Sequence, residues 1–541
     1  MYSFGITILL LMNGRQVTTM KRKILIAFAL VVIVCGVLAF AISMSPTKKL
    51  NGATVTETQK PVILVTVDSL MTEPLKKAIK EGKAPAFSFL IKNGQFYPEF
   101  ISSYPTMSVT IDSTLLTGAY TNRHKVPGLI WFKEDENRMV SYGSGIREMW
   151  ANGIKNVAAD SVIRLNEQHL SKDVQTIHEE LAKVKLQSAS INGLLYRGSV
   201  RQELHVPKLL SFTRLLPKKI EVNGPMLLSL GALSQYNPQN DWNKFSWKRM
   251  GVNNDFTVNE LKYVMEKQKL PSFTLVYFPD ADASIHRNGP EDTKGIEKAD
   301  QALQELFNQF ASWEEAVQKV TWIVLGDSGQ SLVKEKKETA LIDLNELLKD
   351  YTFWENGKEN AQLAVAVNER MAYIYLHDEQ IPFSEVVDIL KKDERIGFVA
   401  WNDQQINYVT GPIGKEEFTF SPNGPFTDEY GQSWQLDGDL SILDVKKDQQ
   451  GIIRYHTYPD ALARLHGALH SQEGKVIIVD AKPSYEFIEK HSHDHAGGGA
   501  HGSLHRVDSL VPLIITGETA KPPSNRLVDV KGWVLDLVGG S

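Results

Sequence analysis

The sequence predicts an α/β fold: an open, mostly parallel sheet flanked by helices, carrying a smaller α+β insertion and preceded by one N-terminal transmembrane helix. Three observations lead there. A buried, β-branched strand ending in an acidic residue recurs three times, segments of helical apolar spacing lie between such strands, and an uncharged run occupies residues 24–44. Strands alternating with helices argue for a sheet covered on both faces.

The run at 24–44, ILIAFALVVIVCGVLAFAISM, follows Lys21, Arg22 and Lys23. At ~1.5 Å per residue it is long enough to cross the ~30 Å hydrocarbon layer, whereas a cleaved secretory signal has an apolar stretch of about 7–15 residues. An uncleaved single-pass anchor in the cell membrane is therefore expected, with residues 1–23 cytoplasmic and the remainder outside, because basic flanks stay within. Ala39-Phe40-Ala41 fits a small-x-small cleavage site, and cleavage there would give a secreted protein. Residues 45–60 read as a polar tether. Cys35 lies inside the apolar run and is the only cysteine, so the exported part has no disulfide and no thiolate ligand or nucleophile. Any metal must be held by His, Asp, Glu or hydroxyl groups. A net charge of −5 offers no basic field for a nucleic-acid polymer.

In the body, PVILVTVDS (61–69) is a buried parallel strand that delivers Asp68 at its carboxyl end. SFTLVYFPDADASIH (272–286) runs from a strand into an acidic, His-bearing loop, and TWIVLGDSG (321–329) ends in Gly-Asp-Ser-Gly. Residues 295–317 have helical spacing between these two. Residues 340–480 change character: 370–376, 383–393 and 396–401 read strand–helix–strand, followed by Gly- and Asp-rich sequence. They are expected to form the α+β insertion, a cap over a core made of 61–339 and 481–541. VPLIITG (511–517) and 527–539 return to buried-strand and helix patterns.

In open α/β sheets ligands bind beyond the carboxyl ends of the strands. Each acidic strand end alone reads more readily as a turn former or helix cap than as a ligand. Asp68, Asp282, His286 and Asp327 together are expected on one sheet edge, with His501 entering from the Gly-rich stretch before 511. Carboxylates and imidazoles converging without thiols suit a two-metal phosphoryl-transfer centre. The hydroxyl-rich stretch SSYPTMSVTIDSTLLTG (102–118) precedes a helix-compatible segment, where a helix N-terminus attracts phosphate.

The order of these motifs resembles the alkaline-phosphatase superfamily, and within it the type I phosphodiesterase/nucleotide pyrophosphatase family. The resemblance is carried by VTVDS (65–69), YPTMSVTIDSTLLTGAYTNRH (104–124), DASIHRNGP (282–290), LGDSGQ (325–330) and AHGSLHRVDSLVPL (500–513). It implies two divalent cations, most simply Zn²⁺: one on Asp282, His286 and His501, the other on Asp68, Asp327 and the nucleophile. It places that nucleophile on Ser108, with Thr106 the alternative, and implies phosphodiester hydrolysis through a phospho-seryl intermediate. The expected substrate is a small or cell-envelope phosphate ester.

Two departures stand out. Where the family has Asp-His, this chain has Asp327-Ser328, so the second site lacks an imidazole, which favours an oxygen-preferring ion such as Mn²⁺ there. His493, His495 or His505 are the available substitutes. The asparagine that holds a phosphate oxygen in nucleotide-cleaving relatives falls at Leu129. Trp131 and Phe132 read either as a substrate face or as core. Two other functions stay open: transfer to an envelope polymer or lipid acceptor, and a non-catalytic ligand-binding relative. Ser108 is followed by Val-Thr-Ile-Asp, which does not fit a sulfatase.

Overall fold

The computed structural model describes residues 46–50 and 60–539, apart from 209–210, 212–214, 357–359 and 413–416. The apolar run at 24–44 lies outside the described residues, and among those residues no helix is long and apolar enough to cross a membrane.

Two seven-stranded sheets organise the chain. The main sheet is built from β1 (Val62–Val67), β2 (Gly94–Ile101), β3 (Ser188–Ile191), β4 (Leu227–Ser229), β5 (Phe273–Phe278) and β6 (Thr321–Gly326), and is closed by the chain's last strand, Leu510–Thr516. Its order is β2, Leu510–Thr516, β6, β1, β5, β3, β4. Leu510–Thr516 runs antiparallel to both its neighbours, and β6, β1, β5, β3 and β4 are mutually parallel. All six residues of each of β1, β5 and β6 are buried, because helices cover both faces. The side-chain period of two divides β1 between two cores. Val62 and Leu64 pack with Val109, Leu115 and Trp533, while Ile63, Val65 and Val67 pack with Phe87, Leu303 and Phe307.

The segment expected to be a smaller α+β unit carries a sheet of as many strands as the main one. These are β7 (Leu363–Asn368), β8 (Met371–Leu376), β9 (Ile396–Asp403), β10 (Ile406–Thr410), β11 (Phe418–Thr427), β12 (Ser433–Gly438) and β13 (Lys475–Ala481). The sheet is antiparallel throughout, in the order β7, β8, β13, β9, β10, β11, β12. Helix Phe383–Leu390 covers one face. The other face packs on Ala461–Leu469 and on Tyr104, Ile130 and Phe132, which fixes it to the main-sheet half. Leu510–Thr516, the closing strand of the main sheet, is β14.

Two local readings change. The helical stretch at 295–317 is two helices, Lys294–Phe307 and Trp313–Lys319. The second starts where the Ser312 side chain accepts from the Glu315 amide at 3.2 Å, an N-cap that interrupts the apolar period. The acidic, His-bearing loop after β5 is a nine-residue helix, α1 (Asp280–Asn288), with Asp280 and Asp282 in its first turn.

Candidate active site

Parallel pairing sets β1 and β6 in register with Val67 opposite Gly326, so the next residues, Asp68 and Asp327, emerge side by side. β5 pairs the other side of β1, Phe278 opposite Val67, and leads through Pro279 into α1. A spacing of four residues puts Asp282 and His286 on one face of α1, with His286 Nε2 2.9 Å from Asp282 Oδ1. His501 follows the two-residue strand Gly499–Ala500, which pairs with Ser331–Leu332 just beyond Asp327. Ser108 is the first residue of the helix α2 (Ser108–Thr117), so its hydroxyl sits at the positive end of that dipole.

Ser108, Asp282, His286 and His501 line one cavity of about 300 Å³. Asp68 and Asp327 do not line it and are buried, 6% and 0% exposed. Ser69 ties the carboxylates together: its amide donates to Asp327 Oδ1 at 2.7 Å and its hydroxyl to Asp282 Oδ1 at 2.9 Å. Tyr277 donates to Asp68 Oδ2. Burial raises the Asp327 pKa above the usual carboxylate value, against the Ser69 amide, His501 and the neighbouring Ser108 hydroxyl, which favour its charged form. Thr106 does not line the cavity; it is fully buried, and its hydroxyl accepts from the Gly502 amide at 2.7 Å.

The donor set fits divalent cations on three counts. First, Asp68 Oδ1 and Asp327 Oδ2 are buried without any hydrogen-bond partner, a costly arrangement for carboxylates unless a cation meets them. Second, burial and the neighbouring Asp327 and Asp282 raise the Asp68 pKa well above the usual value, the mark of negative charge crowded without compensation. Third, both histidines turn Nδ1 to a backbone carbonyl, His286 to Gly499 at 2.8 Å and His501 to Thr106. Each Nδ1 donates its N–H there, which turns both Nε2 atoms toward Asp282, where a cation that displaces the proton would find the lone pair, the outer-shell arrangement of metal-ligating histidines. Burial raises the Asp282 pKa, but His286 and His501 outweigh it and hold it below the usual carboxylate value. Burial lowers His286 while Asp282 and Glu369 raise it, to about 10 overall.

Of the histidines named as substitutes, His505 caps the helix Arg506–Ser509 through Nδ1 and stands edge-on to Tyr458. His493 and His495 do line the cavity. His495 stacks on His286 with ring centroids 4.2 Å apart, on the Asp282 side. Ser328 is buried with its hydroxyl 3.4 Å from that of Ser69. Among the described residues no histidine pairs with Asp68 or Asp327. Leu129 forms part of the cavity wall, its amide and that of Ile130 held by Asn368 Oδ1 at 2.8 and 3.1 Å. Trp131 and Phe132 are core residues, packed in separate clusters.

Three acidic residues escaped the sequence reading. Glu369, in the β7–β8 turn, faces His286 and His501. Asp112, one turn into α2, is buried beside Asp327; burial and that neighbour push its carboxyl up to about 8 against backbone hydrogen bonds from Leu194 and Leu195. Its only signal was an acid inside an apolar helix. Glu148, 5% exposed at the cavity rim, accepts from Ser144 and, at 2.9 Å, from Ser141, and burial pushes it up to about 7. A carboxyl raised on folding contributes stability below its unfolded pKa and loses it as pH rises through the folded value. Glu148→Gln is therefore expected to gain stability over wild type between pH 4.5 and 7, by up to about 3 kcal/mol, in urea unfolding at a series of pH values.

The fold is that of several solved structures. Murine ectonucleotide pyrophosphatase/phosphodiesterase 5 superposes with a TM-score of 0.54 at 14% identity, covering 89% of this chain and 95% of that one. Its inactive variant in complex with AMP gives 0.53 at 15%, and the human protein of the same name gives 0.53 at 15%, over the same shares. No curated protein matches the sequence significantly. A profile described as type I phosphodiesterase/nucleotide pyrophosphatase matches residues 62–504, a span that includes Asp68, Ser108, Asp282, His286, Asp327, Glu369 and His501. The chain belongs to that family of phosphoric ester hydrolases, in the alkaline-phosphatase superfamily.

Proposed function

We propose that this chain is a membrane-tethered, outward-facing phosphodiesterase in which Ser108 attacks phosphorus. The observation that carries the reading is the Ser108 hydroxyl at a helix N-terminus, sharing one cavity with Asp282, His286 and His501 and standing beside Asp327. Residues 61–339 and 481–541 form the catalytic core in this reading, and 340–480 cap it. The basic cluster and apolar run at 21–44 support the tether and its orientation.

Asp282, His286 and His501 would hold one cation, and Asp68, Asp327 and Ser108 a second. Zinc suits the imidazole-bearing set, while the all-oxygen set with Ser328 suits manganese or a similar ion. Bound cations supply charge neutralisation of the phosphoryl oxygens and a lowered hydroxyl pKa. The chain's own groups do the rest. The α2 N-terminus favours the incoming phosphate, and Asp327 orients the Ser108 hydroxyl. Attack forms a Ser108 Oγ–P bond and breaks the bond from phosphorus to the leaving alkoxide; water then cleaves phospho-Ser108 and restores the hydroxyl. Leu129 gives the cavity an apolar wall, which suits esters other than nucleotides.

The test is hydrolysis of a chromogenic phosphodiester and monoester by the full-length protein with Zn²⁺ or Mn²⁺. Diester cleavage that requires the added ion and is lost in Ser108→Ala is expected. No cleavage of either ester with either ion would sink the enzyme reading. It would leave the ligand-binding alternative, which Ser328 favours by depriving one subsite of its imidazole. Chelation offers a second check: Zn²⁺ at 100 times its Kd is expected to stabilise the chelated protein by about 2.7 kcal/mol, seen as a rise in Tm.

A further inference from the structure

The β7–β8 turn brings a carboxylate from the second sheet into the site. Asn368 pairs with Met371, so the turn is two residues long, Glu369 and Arg370. Glu369 has φ 57°, in the left-handed region that such turns ordinarily give to Gly or Asn. A side chain persists there only where its surroundings over-determine it, and here they do. The His501 amide donates to Glu369 Oε2 at 2.9 Å, the Phe487 amide to the Glu369 carbonyl at 2.8 Å, and the Arg370 amide to the His501 carbonyl at 2.9 Å.

With Oε2 so engaged, Oε1 points to the histidines, 3.8 Å from His286 Nε2 and 3.7 Å from His501 Nε2. Asp282 Oδ1 lies 2.9 and 3.9 Å from the same two nitrogens. Four ligands at ~2.0 Å from a tetrahedral zinc stand about 3.3 Å apart. The four carboxylate–imidazole spacings bracket that value, and Glu369 also stands with His286 and His495 as a possible ligand set. His495 closes the flank: its ring stacks on His286, and its Nδ1 meets the buried Glu486 carboxylate at 2.7 Å.

We propose that Glu369 is a fourth protein ligand of the cation held by Asp282, His286 and His501, filling through Oε1 the position that a catalytic zinc site leaves open. This inference rests on the metal-binding reading above. Catalytic zinc keeps three protein ligands and one exchangeable position. Here a phosphoryl oxygen reaches that ion only if Glu369 moves aside or the ion takes a fifth ligand, so Glu369 controls access to it.

The experiment compares full-length wild type, Glu369→Gln and Glu369→Gly, loaded with Zn²⁺ for affinity and with Co²⁺ for visible spectroscopy. Glu369→Gln keeps an oxygen for the His501 amide, so its metal-free Tm is expected to match that of wild type, whereas Glu369→Gly relieves the left-handed turn but gives up that acceptor. Zinc affinity, from chelator competition, should fall by more than about 100-fold in both variants, since loss of even an outer-shell partner costs about 10–100-fold. Wild-type Co²⁺ should show the intense absorption of a four-coordinate ion, indifferent to added inorganic phosphate. In the variants the band should weaken as water enters, and phosphate should shift it. An unchanged Co²⁺ spectrum in both variants, whatever the affinity, overturns the assignment of Glu369. Failure of wild type to take up either ion overturns the metal reading and this inference with it.

Discussion

Ser108→Ala is expected to lower diester hydrolysis by at least about 10³-fold while leaving Tm and the cation on Asp282, His286 and His501 close to wild type. Removing a nucleophile takes away the covalent route, and single nucleophile deletions cost up to about 10⁶-fold in hydrolases where this has been measured. The fold does not depend on this hydroxyl, which stands at the cavity surface with the dipole of α2 behind it. Thr106→Val is the contrasting variant. It leaves the buried Gly502 amide without the acceptor it has at 2.7 Å, a penalty of about 1–3 kcal/mol. It also disturbs the loop that carries His501. Thr106→Val should therefore lose stability and the cation beside His501 together, whereas Ser108→Ala should lose turnover with its stability and that cation retained. Steady-state kinetics, metal analysis and urea unfolding on both variants separate the two roles; equal turnover in Ser108→Ala and wild type would remove Ser108 from the mechanism.

Arg370→Met is expected to destabilise the fold by about 3–5 kcal/mol, the usual effect of breaking a buried ion pair by deleting one partner. Arg370 and Asp508 are both fully buried and paired, and Arg370 also donates to the carbonyls of Ala481 at 3.0 Å and Tyr485 at 3.3 Å. Asp508 in turn accepts from the Ser503 amide at 2.9 Å, so the pair joins the β7–β8 turn to the segment after His501. Burial pushes Asp508 up to about 6 even though Arg370 lowers it. Without the guanidinium the folded-state pKa rises further above its unfolded value. The stability that Asp508 contributes below its unfolded pKa is then lost as pH rises through the folded one, so the deficit should be larger at pH 8 than at pH 5. The double variant Arg370→Met with Asp508→Asn should recover much of the loss in urea unfolding, because no buried charge then stands alone. A deficit independent of pH and unrelieved in the double variant would show that Arg370 acts through packing only.

The main sheet was legible where its strands are long, apolar and buried on both faces, as in β1, β5 and β6. It was illegible where those signals fail. β3 is the four residues SASI, β4 has three residues, and β2 contains a glycine, a proline and several exposed positions, as an edge strand can. The site followed the same logic. Asp68 and Asp327 could be placed because a strand end announces itself, and Asp282, His286, His501 and Ser108 because they stand in motifs. Glu369 has no such signal: Asn-Glu-Arg between two apolar runs reads as a polar hairpin turn, and only the packing of the second sheet carries it to His501. The i, i+4 placement of Asp282 and His286 was equally hidden, since a nine-residue polar helix looks locally like a loop.

The hydrogen bonds that frame the cavity join partners 213, 258 and 395 positions apart in the chain. Contacts so distant form only after most of the polypeptide has been ordered, because each must overcome the entropy of closing a long loop. A nascent or partly folded chain therefore offers isolated carboxylates and imidazoles but no chelating pocket. Whatever ion fills the pocket is therefore taken up only once folding is complete, at the concentrations that hold where folding ends.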